Sequence, residues 1–234
     1  MRIGFSTGAL ALSDVNRGLA MNKAAGMNAV EVSALRESEL AGILHGLDQL
    51  DLDSFEYVSF HAPSSLQHVS ERSLVAQLQP VLERGWPLIV HPDLMVDFDL
   101  WASLGNRILV ENMDQRKPVG RTTRELRAIF ARLPEARLCF DIAHARQVDP
   151  TMSVAVEILT EFGDRLEELH ISEVDSASRH VGICQMAMKS YQRISSLIPA
   201  DVPVIIESTI SEQLICHEIE AVKLSLRRAV NTVV

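Results

Sequence analysis

Six short apolar segments of this chain end in, or carry, a side chain that can hold a metal ion or move a proton. Val58-Ser59-Phe60-His61, Leu88-Ile89-Val90-His91 and Ile108-Leu109-Val110-Glu111 finish on the ionisable residue, and Cys139-Phe140-Asp141 is followed closely by His144. Glu168-Leu169-His170-Ile171 and Val204-Ile205-Ile206-Glu207 complete the series. A lone His or Glu at the end of a strand is ordinarily a hydrogen-bonded rim residue. Several carboxylates brought to one cleft repel one another unless they are protonated or bridged by a cation. Mixed Asp, Glu and neutral His suits zinc, manganese or iron better than calcium or magnesium, which prefer oxygen ligands alone. Divalent-metal chemistry is therefore the expectation.

Such residues meet only if the segments that carry them lie side by side. Short β-branched runs at Arg2–Ser6, Ala29–Ser33, Tyr57–His61, Leu88–His91, Arg107–Glu111, Arg137–Asp141, Glu168–Ser172 and Val204–Glu207 read as strands. Helical segments separate them. Asp14 can cap a helix through Val15, Leu19 and Ala20 that stops near Gly26, and Thr122 or Thr123 precedes Glu125 with Ile129 and Phe130 on the apolar side. Asp149-Pro150 reads as a helix start, with Val154, Val156, Ile158, Leu159 and Phe162 at helical spacing after it. The last helix is expected over 212–228, with Ile215, Ile219, Val222 and Leu226 on one face. Eight strands alternating with helices predict a parallel sheet closed as a (β/α)8 TIM barrel, a single domain over residues 1–234. In that fold the C-terminal strand ends surround one mouth, where active sites sit. No glycine-rich dinucleotide loop follows the first strand, since Ser6-Thr7-Gly8-Ala9-Leu10 lacks the GxGxxG spacing.

Composition bounds the rest. With 47% hydrophobic and 23% charged residues the chain can bury a large core, and the net charge of −9 argues against a nucleic-acid partner. Cys139, Cys184 and Cys216 are odd in number and form no CxxC, a reduced pattern and not a disulfide framework. Met1-Arg2-Ile3-Gly4-Phe5 leads straight into a strand, and no apolar run reaches the roughly 20 residues of a membrane span. A soluble, cytoplasmic protein is expected.

The motifs together resemble the xylose-isomerase-like barrel superfamily, which includes sugar isomerases and epimerases and apurinic endonucleases of the endonuclease IV type. Gly26-Met27-Asn28-Ala29-Val30-Glu31-Val32, Ser59-Phe60-His61-Ala62-Pro63, Val90-His91-Pro92, Val110-Glu111-Asn112, Asp141-Ile142-Ala143-His144, His170-Ile171-Ser172 and Ile206-Glu207 match its successive strand signatures over nearly the whole chain. The resemblance implies that Glu111, Asp141, His170 and Glu207 hold a central metal. In the endonuclease branch, residues matching His61 and His91 join Glu111 at a second ion. A third ion there takes residues matching His144 and an Asp-Arg-His triplet, which stands here as Ser178-Arg179-His180, so one carboxylate is missing. One to three ions are thus implied.

Two chemistries follow from this resemblance. A sugar or sugar-phosphate isomerase or epimerase would use Glu111 and Glu207 to remove and return a proton beside a carbonyl, with His144 and Arg179 orienting hydroxyl or phosphate groups. A multinuclear phosphoester hydrolase would use Glu111 to bridge metals. Ser178, the acidic balance and the short loops place a small polyhydroxylated or phosphorylated substrate first and nucleic acid second. Arg116, Lys117 and Arg121 form the one basic loop and could meet a phosphate. A barrel retained only as a binding module is the non-enzymatic alternative. Glu31 could contact substrate or be a buried structural acid, and Glu173 or Asp175 could replace the missing carboxylate. His68 could reach the site. His45 and His217 are expected at the surface, Cys139 as a small inward filler, and Trp86 and Trp101 as packing residues.

Overall fold

Within each strand segment, every second residue is a large apolar side chain, and this alternation separates an outer wall from an inner lumen. In the computed structural model, which describes residues 1–227, Val30, Val32, Phe60, Leu88, Val90, Ile108, Val110, Leu138, Phe140, Leu169 and Ile171 join helical residues such as Leu19, Leu40, Leu126 and Ile158 in one buried core. The residues between them point inward. Part of that inner layer is apolar, with Ile89, Leu109 and Cys139 packed together. Much of the remainder is polar and buried: Glu31, Ser33, Ser59, His61, Glu111, Asp141, Glu168 and His170.

The barrel strands are β1 (Ile3–Phe5), β2 (Ala29–Ser33), β3 (Tyr57–His61), β4 (Leu88–Val90), β5 (Ile108–Glu111), β6 (Arg137–Asp141), β7 (Leu166–Ile171) and β10 (Val204–Ile206). After β7 the chain forms a small antiparallel hairpin, β8 (Glu173–Val174) and β9 (His180–Val181). All barrel pairings are parallel in the order β1-β10-β7-β6-β5-β4-β3-β2, and a bridge between Ser6 and Glu31 links the two ends. Gly4 permits that closure, because a Cβ there would fall 1.7 Å from the carbonyl oxygen of Ala29. The eight predicted strands are present as a (β/α)8 barrel. None of the helices among the described residues is long and apolar enough to cross a membrane.

Three helix expectations change at their ends. Thr122, not Thr123, caps the helix Thr123–Arg132, in a reciprocal box with Glu125. Asp149 does accept the Val154 amide, but it also takes the Thr151 amide and hydroxyl, so Pro150 lies in a turn and the helix begins at Ser153. The last helix is a 3-10 turn, Glu212–Leu214, leading into Ile215–Ser225; Arg228, the expected end, lies outside the described residues. Asp14 caps Val15–Ala24 as expected, through the Arg17 amide.

Candidate metal centre

Asp141 ends β6 and caps the next helix, Ile142–Val148, by accepting the His144 amide on Oδ1 at 2.7 Å. Its second oxygen, Oδ2, is buried with no hydrogen-bond partner. Register places Asp141 opposite His170 on β7. The Asn112 side chain clamps the ends of β5 and β6 together: its amide donates to the Asp141 carbonyl and its oxygen accepts the Asp141 amide, both at 2.8 Å. That clamp fixes the spacing between Glu111 and Asp141. His170 Nδ1 then faces Glu207 Oε2 at 3.4 Å and Glu111 Oε1 at 3.6 Å. One ligand atom from each of Glu111, Asp141, His170 and Glu207 lies within 4.8 Å of the others.

Two further groups flank this centre. His61 Nε2 and His91 Nε2 stand 3.2 and 3.1 Å from the same atom, Glu111 Oε2. The other nitrogen of His61 lies 2.6 Å from the Ala62 carbonyl, which can only accept, so that nitrogen carries the proton and Nε2 is turned to the carboxylate. On the opposite flank Asp141, His144 and His180 also converge within 4.8 Å. His144 Nδ1 is 3.0 Å from the Asn112 carbonyl and 3.3 Å from Glu111 Oε1, while His180 Nδ1 meets the Ser172 hydroxyl at 2.8 Å.

Burial and mutual charge set the protonation of this cluster. Burial pulls the His61 and His144 imidazoliums down, but neighbouring carboxylates (chiefly Glu31 for His61 and Asp141 for His144) override it and hold them at about 9 and about 10. Burial raises the Asp141 carboxyl to about 8, with His144 opposing. Glu111 is held well below the usual carboxylate range, because His91, His144, His170 and His61 outweigh its burial. Burial dominates for His91 and His180, and both are lowered.

The donor set fits a divalent ion. Asp141 Oδ2, His170 Nδ1 and Glu207 Oε2 are all buried and without hydrogen-bond partners, yet they converge. Buried polar atoms are nearly always paired, so three orphans facing one point call for a ligand. Oxygen and imidazole donors together suit zinc, manganese or iron.

The structure brings together Glu111, Asp141, His170, Glu207, His61, His91, His144 and His180, but not Arg179. Arg179 alternates with His180 on entering β9; because His180 faces inward, Arg179 turns to solvent and pairs with Asp175 at 2.7 Å. Ser178, in left-handed backbone at φ 52°, directs its hydroxyl to Gln147. Neither proposed replacement supplies the missing carboxylate: Glu173 is engaged by Arg146 and the Cys184 amide, and Asp175 by Arg179. His45, His68 and His217 are exposed, Trp101 is fully buried, Trp86 partly so, and Cys139 lies in the lumen. Glu31 is buried beside His170, its Oε2 3.2 Å from Nε2.

The basic loop is already neutralised. Arg116 binds Asp114 and reaches across to the carbonyls of Ala177 and Ser178. Lys117 binds Asp93 at 2.7 Å and the Ser64 carbonyl at 3.0 Å, and Arg121 pairs with Glu125. These contacts strap the loops after β3, β4, β5 and β7 together above the cluster.

Positioning residues were harder to find in sequence. Asn112 stands inside a matched motif and Glu168 inside the predicted seventh strand, but only the partners of their side chains show what they do. The signal for Glu168 was its spacing: Glu168 and His170 alternate with Leu169, so both face the lumen.

No family model matches the sequence, and no curated protein matches it significantly. Solved structures do match. A 3-keto-D-glucoside 4-epimerase from E. coli aligns with a TM-score of 0.63 at 12% identity, covering 96% of this chain and 98% of that one. Endonuclease IV from Thermus thermophilus aligns with a TM-score of 0.63 at 18% identity, covering 97% and 99%. An L-ribulose 3-epimerase aligns at 0.56 with 14% identity, covering 96% and 91%. The neighbours are thus of both kinds named by the sequence resemblance, and at these identities the likeness shows the shared barrel fold.

Proposed function

We propose that this chain is a divalent-metal-dependent isomerase or epimerase of a small sugar or sugar phosphate. One observation carries the reading: two carboxylates, Glu111 and Glu207, reach the same buried His170 nitrogen at 3.6 and 3.4 Å. Glu111, Asp141, His170 and Glu207 would hold the ion. Bound there, it would polarise a carbonyl and a neighbouring hydroxyl and so acidify the carbon between them. One glutamate takes the proton from that carbon, and the other returns a proton to the opposite face, inverting the centre. His144, anchored on the Asn112 carbonyl, orients a substrate oxygen. The strapped loops above the mouth suit a small substrate better than a duplex, and two of the structural neighbours act on sugars by name.

The test is solvent exchange. In deuterated water, a ketose substrate turned over by the metal-loaded protein should gain deuterium at the carbon beside the carbonyl, and Glu207→Gln should abolish the gain. Hydrolysis of a phosphodiester without carbon exchange would overturn the reading.

A second reading, phosphoester hydrolysis at a multinuclear centre, is favoured by one specific feature. His61 and His91 both address Glu111 Oε2, while Glu111 Oε1 faces His144 and His170, and in this reading Glu111 would be shared between two ions. Ion count separates the readings: one tightly bound ion per chain supports the isomerase, two or three the hydrolase.

A further inference from the structure

Beneath the mouth, the lumen holds a second set of polar groups that no step above uses. Glu168 is completely buried, two residues before His170 on β7, and each of its oxygens has one partner. Tyr57, at the start of β3, donates its hydroxyl to Glu168 Oε2 at 2.6 Å, and His170 Nε2 lies 2.8 Å from Glu168 Oε1. Arg2 sits over the Tyr57 ring, 5.4 Å from its centroid, so the chain of contacts runs from the base of the barrel up to the metal cluster.

The arrangement decides which His170 nitrogen carries the proton. A carboxylate only accepts, so the His170 nitrogen facing Glu168 is an N–H, and Nδ1 is the nitrogen left to give up any proton and offer its lone pair when an ion binds. That Nδ1 is the buried atom without a hydrogen-bond partner that faces Glu111 and Glu207. Without a fixed acceptor below, the ring could place its proton on either nitrogen or rotate. Glu31 Oε2 approaches the same Nε2 at 3.2 Å but makes no hydrogen bond there, which leaves Glu168 as the acceptor.

We propose that Glu168, held by Tyr57, is a positioning residue that fixes the His170 tautomer and presents Nδ1 as the donor to the divalent ion. This rests on the metal-binding reading above. Carboxylate partners of this kind typically change metal affinity by about 10- to 100-fold. A competing view of the same residues is that Cys139, Glu168 and His170, whose donor atoms lie within 4.8 Å of one another, hold an ion of their own. The existing hydrogen bonds of Glu168 argue for positioning instead, since both of its oxygens are already engaged.

The experiment uses cadmium-113 bound to the full-length protein labelled with nitrogen-15 in histidine, the His170 signals being assigned by their loss in His170→Gln. The expected result is cadmium coupling to Nδ1 and a proton on Nε2 in the parent. Glu168→Gln should bind cobalt(II) about 10- to 100-fold more weakly at unchanged stoichiometry. Coupling to Nε2, a proton on Nδ1, or parental affinity in Glu168→Gln would each overturn the proposal. The parent measurement stands even if that variant does not fold. Loss of one bound ion in both Cys139→Ala and Glu168→Gln would also overturn it, in favour of a separate site. A parent that binds neither cadmium nor cobalt would overturn the metal reading first, and this one with it.

Discussion

On one flank of Glu111, His61 closes β3 and His91 directly follows β4, so neighbouring parallel strands aim both rings at one carboxylate oxygen. On the other flank, His144 stands in the first turn of a helix and His180 on a two-residue strand of a hairpin. The His61 and His91 side chains are 5% and 10% exposed, whereas that of His180 is 26% exposed. The first flank takes its geometry from the barrel itself, because parallel register leaves a strand-end side chain little choice of direction. The second depends on loop residues, and the place where a carboxylate would complete it holds Ser178, turned to Gln147. Precision in this site therefore falls with distance from the ladder.

The sharpest way to break that comparison is to strike the centre both flanks share. Structural zinc sites with four ligands are worth on the order of 10–16 kcal/mol, so losing one ligand costs roughly 3 kcal/mol, a factor of about 100 in affinity. Asp141→Asn or Glu207→Gln should show this loss in a competition titration; parental affinity in either would refute the ligand assignment. His61→Ala and His91→Ala should each weaken binding by about 10-fold, the low end for partners of a ligand. If the parent holds two ions and these variants one, the strand flank is itself a metal site and the hydrolase reading gains.

A third test uses protons. His61 at about 9 and His144 at about 10 carry a proton at pH 7 in the metal-free protein, and an imidazole must be neutral to donate its lone pair. Ion binding that engages or repels these rings releases protons, so affinity should rise as pH increases from neutrality toward the higher of these values. Calorimetry in buffers of different ionisation enthalpy measures the release, and a heat independent of buffer would count against it. The smallest effects belong to the hairpin. His180→Ala should cost less than either strand histidine, and Arg179→Ala should leave metal affinity and stability within about 0.5 kcal/mol.

The barrel was legible because alternation and period are local properties: Val30-Glu31-Val32 and Phe140-Asp141 announce a two-faced strand without reference to any neighbour. The candidate ligands were legible for the same reason: Glu111, Asp141 and Glu207 close apolar runs, and His170 alternates with Leu169 and Ile171 inside one. Arg179 was not, because its direction depends on the phase of a two-residue strand after a left-handed Ser178, which no periodicity encodes. Asp149 misled because its carboxylate satisfies Thr151 before it reaches the helix, a choice made by turn geometry. Asn112 and Glu168 have ordinary compositions; what they do depends on atoms 29 residues on at Asp141 and 111 residues back at Tyr57.

The strap above the mouth bears on time as well as shape. Arg116 and Lys117 link four loops over a cluster whose donor atoms are almost wholly buried, so under the proposed function an ion and a substrate would share one doorway. The Lys117–Asp93 and Arg116–Ser178 contacts would then act as a shared gate, and under the proposed function its opening frequency would set a ceiling on turnover. The same frequency would set how long a bound ion resides. A chelator in excess should strip metal at a rate independent of chelator concentration, and Lys117→Ala should raise that rate.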